Sequence, residues 1–246
     1  MSRDLGGKTY WLVGASEGLG RALAHHLARA GARLILSARS ADRLDDLAAE
    51  LGGARVLALD VTDPAAVAQA VATVGAFDGL IYSVGLYEPM TSATWDTAAA
   101  EAMVDANFLG AMRLLGRVVP AMIARGAGHV VLIGSIAGYR GLPGAIGYGA
   151  SKAALMHLAE NLHADTQGTG VVVQLANPGF IRTRLTEKND FAMPAIMSAE
   201  DAAARVLRLM RSERFRADFP HPFAWVFSLG RLLPTALFYR LIRNRP

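Results

Sequence analysis

The chain has no cysteine, which excludes a disulfide framework, a thiolate metal site and cysteine catalysis together. That absence fits a reducing, cytoplasmic setting, and no metal site is expected. Charged residues make up only 19% of the chain against 52% apolar, so disorder is excluded and 246 residues suffice for one large buried core. Residues 1–8 lack the apolar stretch of a signal peptide. No run of about 18 apolar residues appears, so no spanning helix is expected. Acidic residues are missing after Asp218, where Arg231, Arg240, Arg243 and Arg245 account for the whole net charge of +4. A nucleic-acid binder carries its basic stripe on the folded domain. Here the basicity sits on an apolar tail, which points away from nucleic acid.

Short apolar strands alternate with amphipathic helices along the chain. Strands are predicted at 8–13, 33–38, 55–59, 78–84, 128–134, 170–176 and 215–219. Helices are predicted from Leu19 to Gly31, at 41–51, from Pro64 with Asp63 as N-cap, at 97–125, 149–166 and 198–212. This alternation implies a doubly wound α/β domain of Rossmann type, a parallel sheet with helices on both faces, spanning residues 1–219. Residues 220–246 form an apolar, basic extension, read as two short helices broken at Pro234.

Gly14, Gly18 and Gly20 lie between the first strand and the first helix, with Ser16, Glu17 and Leu19 among them. Glycines at such a turn let the backbone approach a pyrophosphate resting on the helix N-terminus. After the second strand stands Arg39, with no acid beside it. A carboxylate there would hold the ribose 2′-hydroxyl of NAD, whereas a guanidinium suits the 2′-phosphate of NADP. NADP(H) is therefore favoured over NAD(H), against one contrary sign, the negative charge of Glu17.

Tyr148 and Lys152 are four residues apart, on one helical face. An unperturbed phenol, with a pKa of roughly 10, is a poor proton shuttle near neutrality; a neighbouring ammonium, assisted by a positive nicotinamide ring, lowers it. Tyr148 can then protonate an alkoxide, or deprotonate an alcohol in reverse. Ser135, at a strand's carboxyl end, can steady the substrate oxygen as charge develops.

The Gly-x-x-x-Gly-x-Gly spacing, Ser135 and the Tyr148–Lys152 pair together resemble the short-chain dehydrogenase/reductase family, from about residue 6 to 217. The resemblance implies catalytic roles for Ser135, Tyr148, Lys152 and Asn107, the last holding a water that joins the lysine to solvent. It also implies that Lys152 bonds the nicotinamide ribose. Asp60 and Val61 would stand at the adenine edge and Gly85 close to the cofactor. Pro178, Gly179, Ile181 and Thr183 would stand at the nicotinamide end. Two departures are visible. Val13 replaces the family's usual threonine, implying a slightly altered turn. Tyr82-Ser83-Val84-Gly85 replaces Asn-Asn-Ala-Gly, implying a more loosely held junction in which Tyr82 and Ser83 partly replace the hydrogen bonds of the lost asparagine. Residues 185–197 match the family's substrate lid, where Phe191, Met193, Ile196 and Met197 would give an apolar lining or simply pack on the body.

Three readings follow. One is NADPH-dependent reduction of a hydrophobic ketone or aldehyde. Another is NAD-dependent alcohol oxidation by the same residues. The third is a non-catalytic nucleotide-binding regulatory protein of the same fold. A homodimer or homotetramer is expected, and the tail is open to a subunit contact, a wall over the substrate or peripheral membrane contact.

Overall fold

Strand residues divide between two cores, which is why their apolar runs are continuous rather than alternating. The computed structural model describes residues 3–243, with elements β1 (Thr9–Val13), α1 (Gly18–Arg29), β2 (Arg33–Ser37), α2 (Ala41–Glu50), β3 (Arg55–Val56), α3 (Pro64–Thr73) and β4 (Gly79–Tyr82). After these come α4 (Thr97–Val104), α5 (Gly110–Ala124), β5 (Gly128–Ile133), α6 (Ile146–Asp165), β6 (Val171–Pro178), α7 (Ala199–Met210) and β7 (Arg216–Phe219). The seven strands form one parallel sheet in the order β3-β2-β1-β4-β5-β6-β7. Leu12, Val131 and Ile133 pack with Leu23 and Leu27 of α1 and Val206 of α7 on one face. Trp11, Val130 and Leu132 pack with Leu114 of α5 and Leu155 of α6 on the other. The expected doubly wound architecture is thus present.

Several boundaries differ from the sequence reading. The helix expected at 97–125 is interrupted by a π-turn over Asp105–Leu109, which periodicity cannot reveal because the apolar positions stay roughly helical through it. Helix α6 begins at Ile146 rather than 149, placing Tyr148 in its first turn. Strand β3 shortens to two residues, although Leu57 and Leu59 still donate backbone bonds to Leu36 and Ala38. Asp63 caps α3 as expected, accepting from the Ala65 and Ala66 N–H groups.

One polar chain crosses the sheet interior. The Gln174 amide nitrogen donates to the carbonyls of Leu209, Ser212 and Arg214 at 3.0, 3.0 and 2.7 Å. Its oxygen is left to accept from His129 Nε2 at 2.9 Å, so Nδ1 must be the acceptor for the Tyr10 hydroxyl at 2.8 Å. All three side chains are buried.

The C-terminal extension forms α8 (Phe223–Ser228), a 3₁₀ turn at Gly230–Leu232 and α9 (Thr235–Arg243), with the break at Pro234 as expected. Arg245 lies outside the described residues. Ala224, Phe227 and Phe238 are buried against Ile136. Arg140 donates to the carbonyls of Arg231 and Leu233 and lies over the Phe238 ring. Trp225, Leu229 and Leu232, spaced i, i+4, i+7, remain exposed on the outer side. Among the described residues no helix is long and apolar enough to cross a membrane.

Candidate active site

The chain leaves β1 outward to β2 and β3, then returns to β4 on the other side of β1. Open α/β sheets bind ligands beyond the strand ends at such a switch point. Gly14 ends β1 there with φ 91°, and a Cβ on it would stand 2.7 Å from the Ser83 carbonyl carbon. A Cβ on Gly20 would lie 1.9 Å from the Gly14 carbonyl oxygen, so α1 closes tightly on its own turn. The turn is fixed to β2 by the Gly14 and Ala15 N–H groups, both donating to Ser37 O. Val13, in place of threonine, is buried. Helix α1 starts without a side-chain cap and without an acid in its first turn, leaving N–H groups free to meet a pyrophosphate. Ser16 is half-buried at this turn, and Leu19 is buried in the core beneath it.

The Glu17 carboxylate does not stand alone in the crevice. It accepts from Arg43 at 3.0 Å and from Arg184 at 2.5 Å. Its charge is therefore matched by two guanidiniums, neither of which the sequence singled out. Gly18 faces Thr183, whose methyl would lie 3.1 Å from a Cβ on the glycine, so the segment after β6 reaches the glycine turn.

At the crevice's other end, Arg39 is exposed beyond β2. Burial opposes ionisation of Asp60, but the Thr62 N–H and hydroxyl (2.9 and 2.7 Å) and the Arg39 guanidinium outweigh it and hold the carboxyl below its ordinary range. The Asp60 side chain is thus not the cap of α3, a role Asp63 fills. Val61 is buried in the core and packs closely against Gly110.

The catalytic candidates converge at the ends of β4 and β5. Lys152 Nζ donates to Val84 O at 3.2 Å and Ile133 O at 3.0 Å, and lies 5.9 Å from the Tyr148 ring centroid. Burial lowers the Lys152 ammonium to about 8. Burial also raises the Tyr148 phenol, with a hydrogen bond to the Ser135 side chain opposing the rise. The lowered phenol expected from sequence is therefore not produced by the chain's own groups, because removing water from the ring outweighs them. Ser135 is buried, and its hydroxyl also accepts from Ala137 N at 3.2 Å.

Asn107 sits inside the π-turn and is fully buried. It accepts from Leu86 N at 2.6 Å and donates to Leu86 O and Ser151 Oγ, both at 2.9 Å. It thereby fixes the chain just beyond Gly85, which is exposed at the crevice. The buried Tyr82 hydroxyl donates to Ala106 O at 2.6 Å, riveting β4 to the same π-turn rather than to a neighbouring strand. Ser83 contributes a backbone bond to Val13 O.

Pro178 closes β6, and Gly179 N donates to Phe219 O. Ile181 is buried and bridges to Met197, so the two ends of the 182–196 segment are stitched together. Phe191 is exposed at its tip, edge-on to Phe180. Sequence reading missed Tyr87, whose ring lies edge-on to Tyr148 with centroids 5.1 Å apart. Its place two residues after Gly85 was the available signal.

Comparison with known proteins agrees with this geometry. The family model described as short chain dehydrogenase matches residues 8–193. An uncharacterized oxidoreductase of Myxococcus xanthus is 35% identical over 243 residues, 94% of each chain. Dehydrogenase/reductase SDR family protein 7-like of Drosophila melanogaster is 35% identical over 200 residues, covering 74% of this chain and 60% of its own. A short-chain dehydrogenase from Sphingobium yanoikuyae, solved with NADPH, superimposes with a TM-score of 0.82 at 27% identity, covering 97% of this chain and 96% of its own. Another from Burkholderia cenocepacia, solved with NADP, gives 0.86 at 25% identity, covering 99% and 100%. With its glycine turn at the switch point and its tyrosine and lysine at the neighbouring strand ends, the chain belongs to the short-chain dehydrogenase/reductase family, NAD(P)-dependent oxidoreductases that interconvert alcohols and carbonyls.

Proposed function

We propose that the protein is an NADPH-preferring reductase of a hydrophobic ketone or aldehyde, working through Ser135, Tyr148 and Lys152. The observation that carries this reading is that Lys152 is hydrogen-bonded to the ends of β4 and β5, while Tyr148 is hydrogen-bonded to Ser135 just beyond β5. The cofactor supplies the hydride. Tyr148 gives its proton to the carbonyl oxygen as negative charge gathers there, and the Ser135 hydroxyl holds that oxygen in place. Lys152, one helical turn from Tyr148, would hold the ribose side of the cofactor. Asn107 holds the 85–86 backbone against which the nicotinamide half would lie.

The preference for the phosphorylated cofactor is supported by exposed Arg39, which has no acid next to it in the chain, and by the pairing of Glu17 with Arg43 and Arg184. The complexes of the Sphingobium and Burkholderia proteins with NADPH and NADP point the same way. Phe191 on the lid and Phe180 beneath it favour an apolar substrate. A cytoplasmic homo-oligomer is the setting we favour, with exposed Trp225, Leu229 and Leu232 forming an outward contact with a subunit or membrane surface.

The test is fluorescence titration with NADPH and NADH, paired with turnover on a carbonyl panel. NADPH should bind more tightly, and Arg39→Ala should cost roughly 10- to 100-fold of that affinity, the worth of one charged fork. Tyr148→Phe should lower turnover by about 10²–10⁴-fold. Equal or tighter NADH binding would remove the cofactor preference, and turnover indifferent to the Tyr148 change would remove the mechanism.

A further inference from the structure

The segment between β4 and α4 is held from both sides. Asn107 grips Leu86 through two hydrogen bonds, and Met90 N donates to Gly144 O in the loop that leads into Tyr148. Between these anchors, Tyr87 is presented half-buried, with little freedom to choose its direction. It makes two contacts of different kinds. Its ring meets that of Tyr148 edge-on, at an interplanar angle of 75°. Its hydroxyl donates to the Asn189 side-chain oxygen at 2.8 Å, across a sequence gap of about a hundred residues.

Asn189 belongs to the 182–196 lid. The lid's base is stitched by Arg182 N to Met197 O and by Met197 N to Phe180 O. One flank is tied to the glycine turn through Arg184 and Glu17. The opposite flank is tied to the Tyr87 segment: Asn189 to the Tyr87 hydroxyl, and Lys188 to Tyr87 O at 3.1 Å and to the Glu88 carboxylate. The closed lid therefore spans the crevice, with one side on the cofactor half and the other on the residue that touches the catalytic phenol.

We infer that Tyr87 is a positioning residue that couples lid closure to the placement of Tyr148. When the lid is shut, the Tyr87 hydroxyl is engaged by Asn189 and its ring edge is pressed to the Tyr148 ring. When the lid opens, the ring loses the restraint that keeps it there. Substrate entering under the lid is thus committed and faces an oriented phenol in one event. The inference rests on the carbonyl-reductase reading for its kinetic consequence, but its structural half is independent of that reading.

The hydroxyl and the ring can be tested separately in the full-length protein. Tyr87→Phe keeps the edge contact and removes the lid bond; Asn189→Ala removes the same bond from the other side; Tyr87→Ala removes both contacts. Limited trypsin digestion, read by mass spectrometry, reports lid opening through cleavage after Arg184 and Lys188. Each of Tyr87→Phe and Asn189→Ala should speed that cleavage about five-fold, the effect of one hydrogen bond. The double variant should be no faster than either single one, because they break the same contact. With NADPH and the carbonyl that the wild type reduces best, Tyr87→Phe should raise KM more than it lowers kcat, whereas Tyr87→Ala should also lower kcat markedly. Cleavage at the wild-type rate in Tyr87→Phe, or effects that multiply in the double variant, would overturn the coupling. So would a kcat loss as large in Tyr87→Phe as in Tyr87→Ala. If no carbonyl is turned over, the enzymatic reading fails while the digestion still decides whether the latch exists.

Discussion

Acid should destabilise this protein through His129 by an amount that can be worked out. The imidazole is buried, with Arg3 adding a like charge, and its pKa falls from the ordinary 6.5 to about 4 against only partial support from Gln174. Above pH 6.5 the ring is neutral in both folded and unfolded chains. Between pH 6.5 and 4 the unfolded chain takes up a proton that the folded chain refuses, so stability falls as pH falls. At 1.36 kcal/mol per pH unit, the loss is about 3 kcal/mol once pH 4 is reached, and below that both states are protonated. The geometry agrees, since Nδ1 is already an acceptor for the Tyr10 hydroxyl and a proton there would force that buried hydroxyl to turn and accept instead. The assay is urea unfolding followed by circular dichroism at several pH values between 7.5 and 4.5, at one protein concentration, for wild type and His129→Gln. Carboxylates act in both proteins, so the difference isolates the histidine. The gap between the two should narrow or reverse steadily below pH 6.5; a gap constant with pH would refute the reasoning.

Two further perturbations bear on the site. Gly20→Ala puts a methyl on the Gly14 carbonyl oxygen, and an overpacking cost of roughly 1–3 kcal/mol corresponds to about a 5- to 150-fold loss of NADPH affinity. Unchanged titration curves would show that the turn shifts freely. Tyr82→Phe leaves Ala106 O without its partner, and a cost of about 2 kcal/mol should lower the melting temperature by roughly 4–8 °C. Calorimetry showing no decrease would deny the rivet between β4 and the π-turn.

What could be read from the sequence was local. The glycine turn, Tyr148 with Lys152, and Ser135 at a strand end are each set by spacing within one element or one connection, and the chain order of strands determined the sheet. What could not be read depends on pairs distant in the chain. Glu17 looked like an uncompensated negative charge because Arg184 lies 167 positions away. The π-turn around Asn107 was invisible because one extra residue per turn leaves the apolar pattern nearly intact. His129 and Gln174 are single polar residues in apolar strands, and only their adjacency across β5 and β6 makes them a chain. The phenol's raised pKa follows from burial, which motif spacing does not report.

The contact of Arg140 and Ile136 with the C-terminal extension limits how related enzymes can be recombined. Both residues lie in the connection between Ser135 and Tyr148, and their partners are the Arg231 and Leu233 carbonyls and Phe238. A chimera that exchanges only the last few dozen residues would graft foreign carbonyls over an arginine shaped for others. The two stretches form a single exchangeable unit despite the ninety-odd positions between them.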